Sequence, residues 1–371
     1  MSPWRPRAST QWLALAAGVA LLLLCAWSGR SASRQALLSY LFAFLFFTGL
    51  SVGSLALLMV HALTGGAWGE RLRPALLAAA RTLPLQAALA LPLLFGMREL
   101  YPWARPGAAA HDAQLAAQRW YLDPAFFVLR TVLCFALWLA LSALFVRWSA
   151  RPARAAALAR LAAGGLIAYA LTTLIAATDW AMSLLPHWHS STFGMLLATG
   201  WMLAAAALAV WRAASSRDEY AVREPQVLRD LGNLLLVLVL AWSYLAYMQY
   251  LTVWIADLPS ETSWYLPRTL TSWRALAFVL IAFHFALPFA ILLSRRAKEL
   301  RAGLATSAAL LLAAHLADAL WLVVPAERPS GFTLQLTDLL APAGMGALWW
   351  AVYAGVPRLP GVRGAPRRVH G

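Results

Sequence analysis

Three ionisable side chains stand where an apolar sequence can least accommodate them. His284 lies in the middle of the apolar run 271–293, His315 lies in the middle of 304–324, and Asp318 follows His315 by three residues. At 1.5 Å per residue, about eleven residues from either end puts both imidazoles at a depth of roughly 16 Å. That is close to the midplane of a ~30 Å hydrocarbon core. Consecutive runs cross in opposite directions, so the two rings can approach each other, and the i,i+3 spacing sets Asp318 on the face of His315. Ionisable residues at such depth are costly and normally face a bundle interior with a partner. Three chemistries fit. Two imidazoles and a carboxylate can relay a proton. His284 and His315 can serve as axial ligands of a b-type haem, with Ala282, Ala286, Ala314 and Ala317 leaving room beside the ring. Each His can also simply make a helix–helix hydrogen bond.

A second pair lies nearer one interface. Asp179 ends the run 161–183, and Arg130 lies about one turn inside 125–146. An ion pair between them would offset two desolvation costs; the alternative is an Arg130 that snorkels outward alone. His61 and Arg81, at the ends of their runs, read as interfacial. There is no phosphate-cradling Gly loop, nucleophile elbow, His-Glu-x-x-His helix or voltage-sensor charge pattern.

The elements that must position these groups are transmembrane helices. Of the 371 residues, 62% are hydrophobic and 12% are charged, against roughly 45–50% and 25% in soluble domains. The mean hydropathy of +0.66 leaves too little polar surface to cover a water-soluble globule. Nineteen Trp and ten Tyr suit two membrane–water interfaces. A water-soluble enzyme is excluded, as are disordered and nucleic-acid-binding readings of the +15 charge. Ten runs are long enough to span: 11–27, 37–63, 76–97, 125–146, 161–183, 193–211, 231–255, 271–293, 304–324 and 336–356. None alternates as a barrel strand would, so the expected fold is an all-α polytopic bundle. The first run follows Arg5 and Arg7 like a signal peptide, but its length and the bulky Trp27 favour an uncleaved helix. Pro84, Pro92 and Pro288 are candidate kinks. Gly49-x-x-x-Gly53 and Gly164-Gly165 are compatible with close helix packing. Cys25 and Cys134 are too few for an iron–sulfur cluster or structural zinc, and no metal site is expected.

Charge orients the bundle. Twenty-one Lys and Arg residues fall on the side of the N-terminus and seven on the other. By the positive-inside rule both termini are cytoplasmic. The Arg-rich tail 363–368 is a candidate contact for anionic lipid. The loops assigned outside hold the least ordinary sequence. The segment 179–194 has no basic residue and combines Trp180, Trp188, His187 and His189, while 254–265 carries Trp254, Asp257, Glu261, Trp264 and Tyr265. This composition suits an ordered docking surface more than a plain aromatic belt.

An ordered set of motifs over roughly 40–325 resembles one family. It runs from Arg81-Thr82-Leu83-Pro84 through Tyr121-Leu122, Phe126-Phe127 and Arg130 to Asp179-Trp180-x-Met182-Ser183-Leu184-x-Pro186-x-Trp188. It continues with Trp242-x-Tyr244, Gln249-Tyr250-Leu251-x-x-Trp254, Leu258-Pro259-x-Glu261-Thr262-x-Trp264-Tyr265, Phe283-His284-Phe285-x-x-Pro288 and His315-x-x-Asp318-x-x-Trp321. The chain resembles the ActF-like membrane subunit of alternative complex III, a quinol:cytochrome c oxidoreductase, within the NrfD/polysulfide-reductase membrane-subunit group. The resemblance implies two four-helix bundles with two flanking helices. The segment 1–36 would hold the first helix, 37–324 the core, and 325–371 the last helix and a basic tail. It implies a multi-pass subunit of the bacterial inner membrane that holds no cofactor and is not active alone. Quinol or quinone is a candidate ligand. Haem c and iron–sulfur clusters belong to its partners: a periplasmic iron–sulfur protein and c-type cytochrome subunits, beside a second NrfD-like membrane subunit. On this reading Asp179, His284, His315 and Asp318 relay protons, Arg130 partners Asp179, and Trp180, Tyr250 and Trp254 line a quinone-sized or partner-facing cleft. The alternatives are a structural anchor for periplasmic redox subunits or a secondary transporter. Ala78, Ala79 and Ala80 stand where the family pattern leads one to expect a carboxylate, and Asp257 stands where it leads one to expect Asn.

Overall fold

The computed structural model describes residues 8–110, 112–149, 151–216 and 224–355, all helix, turn or loop with no strand among them. The tail 363–368 lies outside the described residues. Among the described residues nine helices are long and apolar enough to cross a membrane: α1 (Ser9–Ser28), α2 (Ser33–Thr64), α3 (Ala67–Phe95), α4 (Pro124–Trp148), α5 (Ala155–Leu184), α6 (Phe193–Ser215), α7 (Pro225–Ala256), α8 (Trp273–Leu293) and α9 (Arg301–Ala326). The tenth expected span is also a helix, α10 (Leu336–Gly355). Its 20 residues reach ~30 Å, but Asp338, Pro342 and three glycines make it less apolar than the rest. Several helices run one or two turns past their apolar stretch. Hydrocarbon limits only the apolar part, and a helix can continue into the interface.

Helices α2–α5 pack as one four-helix bundle and α6–α9 as another, with α2 against α6 between them. The most apolar stretch of α2 is buried entirely in protein. Small residues permit the close approach. A Cβ on Gly49 would lie 2.3 Å from the Trp201 ring, and one on Gly53 would lie 2.1 Å from the Trp201 carbonyl oxygen. Outside the two bundles, α1 lies along α10, where a Cβ on Gly18 would come within 2.8 Å of the Gly344 carbonyl.

Proline divides α3 into Ala67–Ala80, Leu83–Leu89 and Leu91–Phe95, with Pro84 and Pro92 opening the later pieces. Asp257 ends α7 at φ 48°, a left-handed position that Asp and Asn tolerate better than most side chains.

Side chains tie the helix ends into two layers. On one side Arg71 donates to Glu224 at 2.7 Å, Lys298 to Asn233 at 2.7 Å and Arg301 to the Ala214 carbonyl at 2.9 Å, and Arg73 reaches the Ser149 carbonyl. The starts of α3, α7 and α9 therefore share a side with the ends of α4, α6 and α8, so the arginine-rich segments are gathered together. On the other side the short helix Ala113–Gln118 is capped by Asp112, whose carboxylate accepts from the Gln114 and Leu115 amides. His187 binds Asp112 at 2.9 Å and Gln114 at 2.8 Å, joining this helix to the α5–α6 loop. Those amide hydrogen bonds, aided by His187, hold the Asp112 carboxyl below the ordinary carboxylate range.

Candidate functional site

His284, His315 and Asp318 meet between α8 and α9 in the second bundle, each less than 5% exposed. The imidazole centroids are 5.5 Å apart, and His315 Nδ1 lies 3.7 Å from Asp318 Oδ2. Neither ring nitrogen of His284 has a hydrogen-bond partner among the described residues, nor does His315 Nδ1. Buried polar atoms are rarely left this way. Neighbouring helices hold it firmly. Trp242 of α7 packs 4.0 Å from His284 and Phe46 of α2 packs 6.0 Å from His315. Gly200 of α6 makes the space for His315, since a Cβ there would sit 2.8 Å from Cε1.

Trp242 packs on one side of His284 and the His315 ring lies on the other. His284 makes no helix–helix hydrogen bond through either nitrogen among the described residues, and His315 makes none through Nδ1. Among the described residues these three side chains form the one group of His, Cys, Asp or Glu that could share an ion, with ligand atoms within 4.8 Å of one another. A zinc ion with ~2.1 Å bonds needs its ligands roughly 3.4 Å apart, so the group would have to contract.

Asp179 and Arg130 meet as a bidentate pair, Nε donating to Oδ2 at 2.7 Å and Nη2 to Oδ1 at 3.0 Å. Arg130 also donates to the Tyr121 carbonyl at 3.0 Å and stacks 4.0 Å from the Tyr121 ring. Asp179 is 1% exposed. Both polar centres occupy π-helical turns, Ala177–Ala181 in α5 and Ile281–Ala286 in α8. Such turns often mark functional sites in helices. No periodicity in the sequence announces them. The one local signal is Pro288, just beyond the turn in α8.

The three aromatic candidates separate. Trp180 is buried among Phe44, Phe135 and Trp138, donates to Thr131 at 3.2 Å, and accepts from the Tyr101 hydroxyl through its carbonyl at 3.0 Å. Tyr250 and Trp254 are 43% and 66% exposed on α7. An open cavity of ≈ 220 Å³ is lined instead by Trp120, Tyr121, Thr178, Met182, Trp188 and His189, and so includes Tyr121, the neighbour of Arg130. Beside it Trp188 stacks on Trp264 at 4.9 Å and donates to the Glu261 carbonyl at 3.1 Å, so the two unusual outer loops form one ordered layer.

Two further features escaped sequence reasoning. Arg268 is fully buried with no carboxylate, donating to the carbonyls of Trp264, Trp321 and Leu322 at 2.6–3.1 Å while lying 3.6 Å from the Trp264 ring. Burial pushes its guanidinium down to about 9. At the break in α3, Ser51 and Thr82 hydroxyls share a 2.6 Å hydrogen bond, Trp349 donates to Ser51 at 3.1 Å, and Thr48 donates to Gln86 at 3.2 Å. The Gln86 amide nitrogen is buried without a partner. Only the adjacent Arg-Thr-Leu-Pro motif hinted at this spot.

Fold and composition together define a polytopic helical membrane protein with two polar centres inside its bundles. No protein-family model and no curated protein matches the chain.

Proposed function

We propose that this chain is an integral membrane subunit of a quinol:electron-acceptor oxidoreductase of the alternative complex III kind, carrying protons while partner subunits carry electrons. The observation that supports this reading most is the midplane cluster. A buried carboxylate and two imidazoles with unpartnered nitrogens lie in the centre of the second bundle. Asp318, His315 and His284 pass a proton along the line of their contacts. At the outer end, Asp179 takes a proton only when Arg130 releases one of its oxygens, which makes the pair a gate. The hydroxyls of Thr82, Ser51 and Thr48, with Gln86, offer an inner half to this path despite Ala78, Ala79 and Ala80. Thr48 is two residues from Phe46, which packs on His315. The ordered outer layer faces periplasmic iron–sulfur and c-type cytochrome partners, with a second NrfD-like subunit beside the chain in the bacterial inner membrane. Tyr250 and Trp254 are the aromatic groups free to meet quinone or a partner.

The test is quinol:cytochrome c turnover and proton release in the intact complex carrying Asp318→Asn or His315→Ala. Both variants are expected to assemble and to lose proton-coupled turnover by about tenfold or more. Unchanged turnover in both removes the relay. The Trp188–Trp264 stack favours a second reading, a structural anchor. In that case Trp188→Ala releases the periplasmic partners while the midplane variants remain silent.

A further inference from the structure

The basic side of the molecule holds its cations in two different ways. Most are answered from within the chain: Arg71 by Glu224, Arg73 by Glu70, Arg229 and Arg295 by Glu299, and Lys298 by Asn233. The turn between α4 and α5 is the exception. Arg147, Arg151, Arg154 and Arg160 are all exposed, and none has a carboxylate in ion-pair reach among the described residues. The chain contains no Asp or Glu from residue 124 to 178. Four guanidiniums thus lie between the last turn of α4 and the second turn of α5, with no carboxylate in residues 124–178 to neutralise them.

The described residues of the turn are hydrogen-bonded. The Ser149 amide donates to the Phe145 carbonyl at 2.9 Å, Arg151 to Trp148 at 2.9 Å and Arg154 to Arg151 at 2.9 Å. Arg73 of α3 holds the Ser149 carbonyl from outside the turn. Trp148 marks the interface, with the Arg154 guanidinium 5.7 Å from its ring. Below the charges, each helix presents an exposed apolar track toward the membrane centre. Ala143, Ala140 and Ala136 follow Arg147 along α4, and Gly164, Ile167 and Leu171 follow Arg160 along α5. A Cβ added to Gly164 would meet nothing within 4 Å, so this track has open space beside it.

We propose that Arg147, Arg151, Arg154 and Arg160 bind the phosphate headgroup of an acidic phospholipid whose acyl chains lie along the exposed faces of α4 and α5. Guanidinium forks match phosphate oxygens in pairs. Basic clusters at the cytoplasmic ends of membrane helices are attracted to anionic lipid surfaces. A diphosphatidylglycerol, with two phosphates, suits four cations best. The site is independent of the redox reading above.

Native mass spectrometry of the full chain, released from mild detergent after incubation with diphosphatidylglycerol or phosphatidylcholine, tests it. The wild-type chain is expected to retain the acidic lipid and not the zwitterionic one. Replacing all four arginines by Gln lowers retention by about tenfold or more, whereas Arg295→Gln with Arg296→Gln on the same side leaves it unchanged. If the quadruple variant does not fold, R151Q/R154Q, confined to the exposed turn, gives a smaller drop in the same direction. Equal retention by the variants, or equal retention of phosphatidylcholine, overturns the proposal. Displacement of the lipid by inorganic phosphate alone also overturns it, because the site would then be a free-anion patch.

Discussion

The polar centres of α5 and α8 are built alike and finished differently. Each places an ionisable side chain on a π-helical turn inside a bundle, and each is nearly inaccessible. At Asp179 both carboxylate oxygens are taken up by one guanidinium that is itself held by Tyr121. At His284 neither ring nitrogen has a partner among the described residues. A closed pair holds structure together, because removing either member leaves a buried charge alone. An open cluster costs stability and persists only if its vacant donors and acceptors are used. The comparison separates a polar group whose partner must first let go from polar groups that already stand open.

The largest effect should come from breaking the closed pair. Arg130→Ala leaves Asp179 buried and unpaired, and is expected to destabilise the chain by about 3–5 kcal/mol. Adding Asp179→Asn should restore most of that loss, as read from unfolding midpoints in nanodiscs. A double variant no more stable than Arg130→Ala would show that the pair is not closed. The open centre should respond in the opposite sense. His284→Phe removes two unsatisfied nitrogens while keeping contact with Trp242, so stability should change by only about 1 kcal/mol, while turnover of the complex falls sharply. A stability loss as large as that of Arg130→Ala would make His284 a structural residue.

Gly200→Ala probes the same centre without touching its chemistry. The added methyl would meet His315 at 2.8 Å, an overpacking worth about 1–3 kcal/mol, and should shift the His315 ring resonance in an NMR spectrum of the specifically labelled chain. The smallest effect belongs to the outer strap, where Asp112 caps Ala113–Gln118 and binds His187. Its carboxyl is held below the ordinary range, so its contribution is complete above that range and is lost as pH falls through the depressed value. The protection factors of the amides in 113–118, with the intrinsic pH dependence of exchange divided out, should therefore stay flat from pH 7 to about 5 and fall only below about 4. Asp112→Asn should remove the acid response while leaving the cap largely in place.

Apolar length and charge imbalance were enough to read the helices and the gathering of cations on one side. Those properties depend on composition summed over twenty or more residues, and hydrocarbon enforces them regardless of neighbours. That His284, His315 and Asp318 could meet was legible for the same reason, since rise per residue sets them at matching heights on consecutive antiparallel runs. Rotation about each helix axis was not legible. It is settled where Gly49, Gly53 and Gly200 admit Trp201 and His315, and small residues of this kind are too common in membrane helices to single out beforehand. The π turns, the burial of Trp180 away from Tyr250 and Trp254, and the unpartnered nitrogens of His284 all follow from that packing. Sequence by itself determined which groups enter the membrane and how deep they lie, because transfer from water is a property of each segment. Only the tertiary structure decided which of those groups were answered by a neighbour, because a hydrogen bond or ion pair depends on two surfaces meeting at a few ångströms.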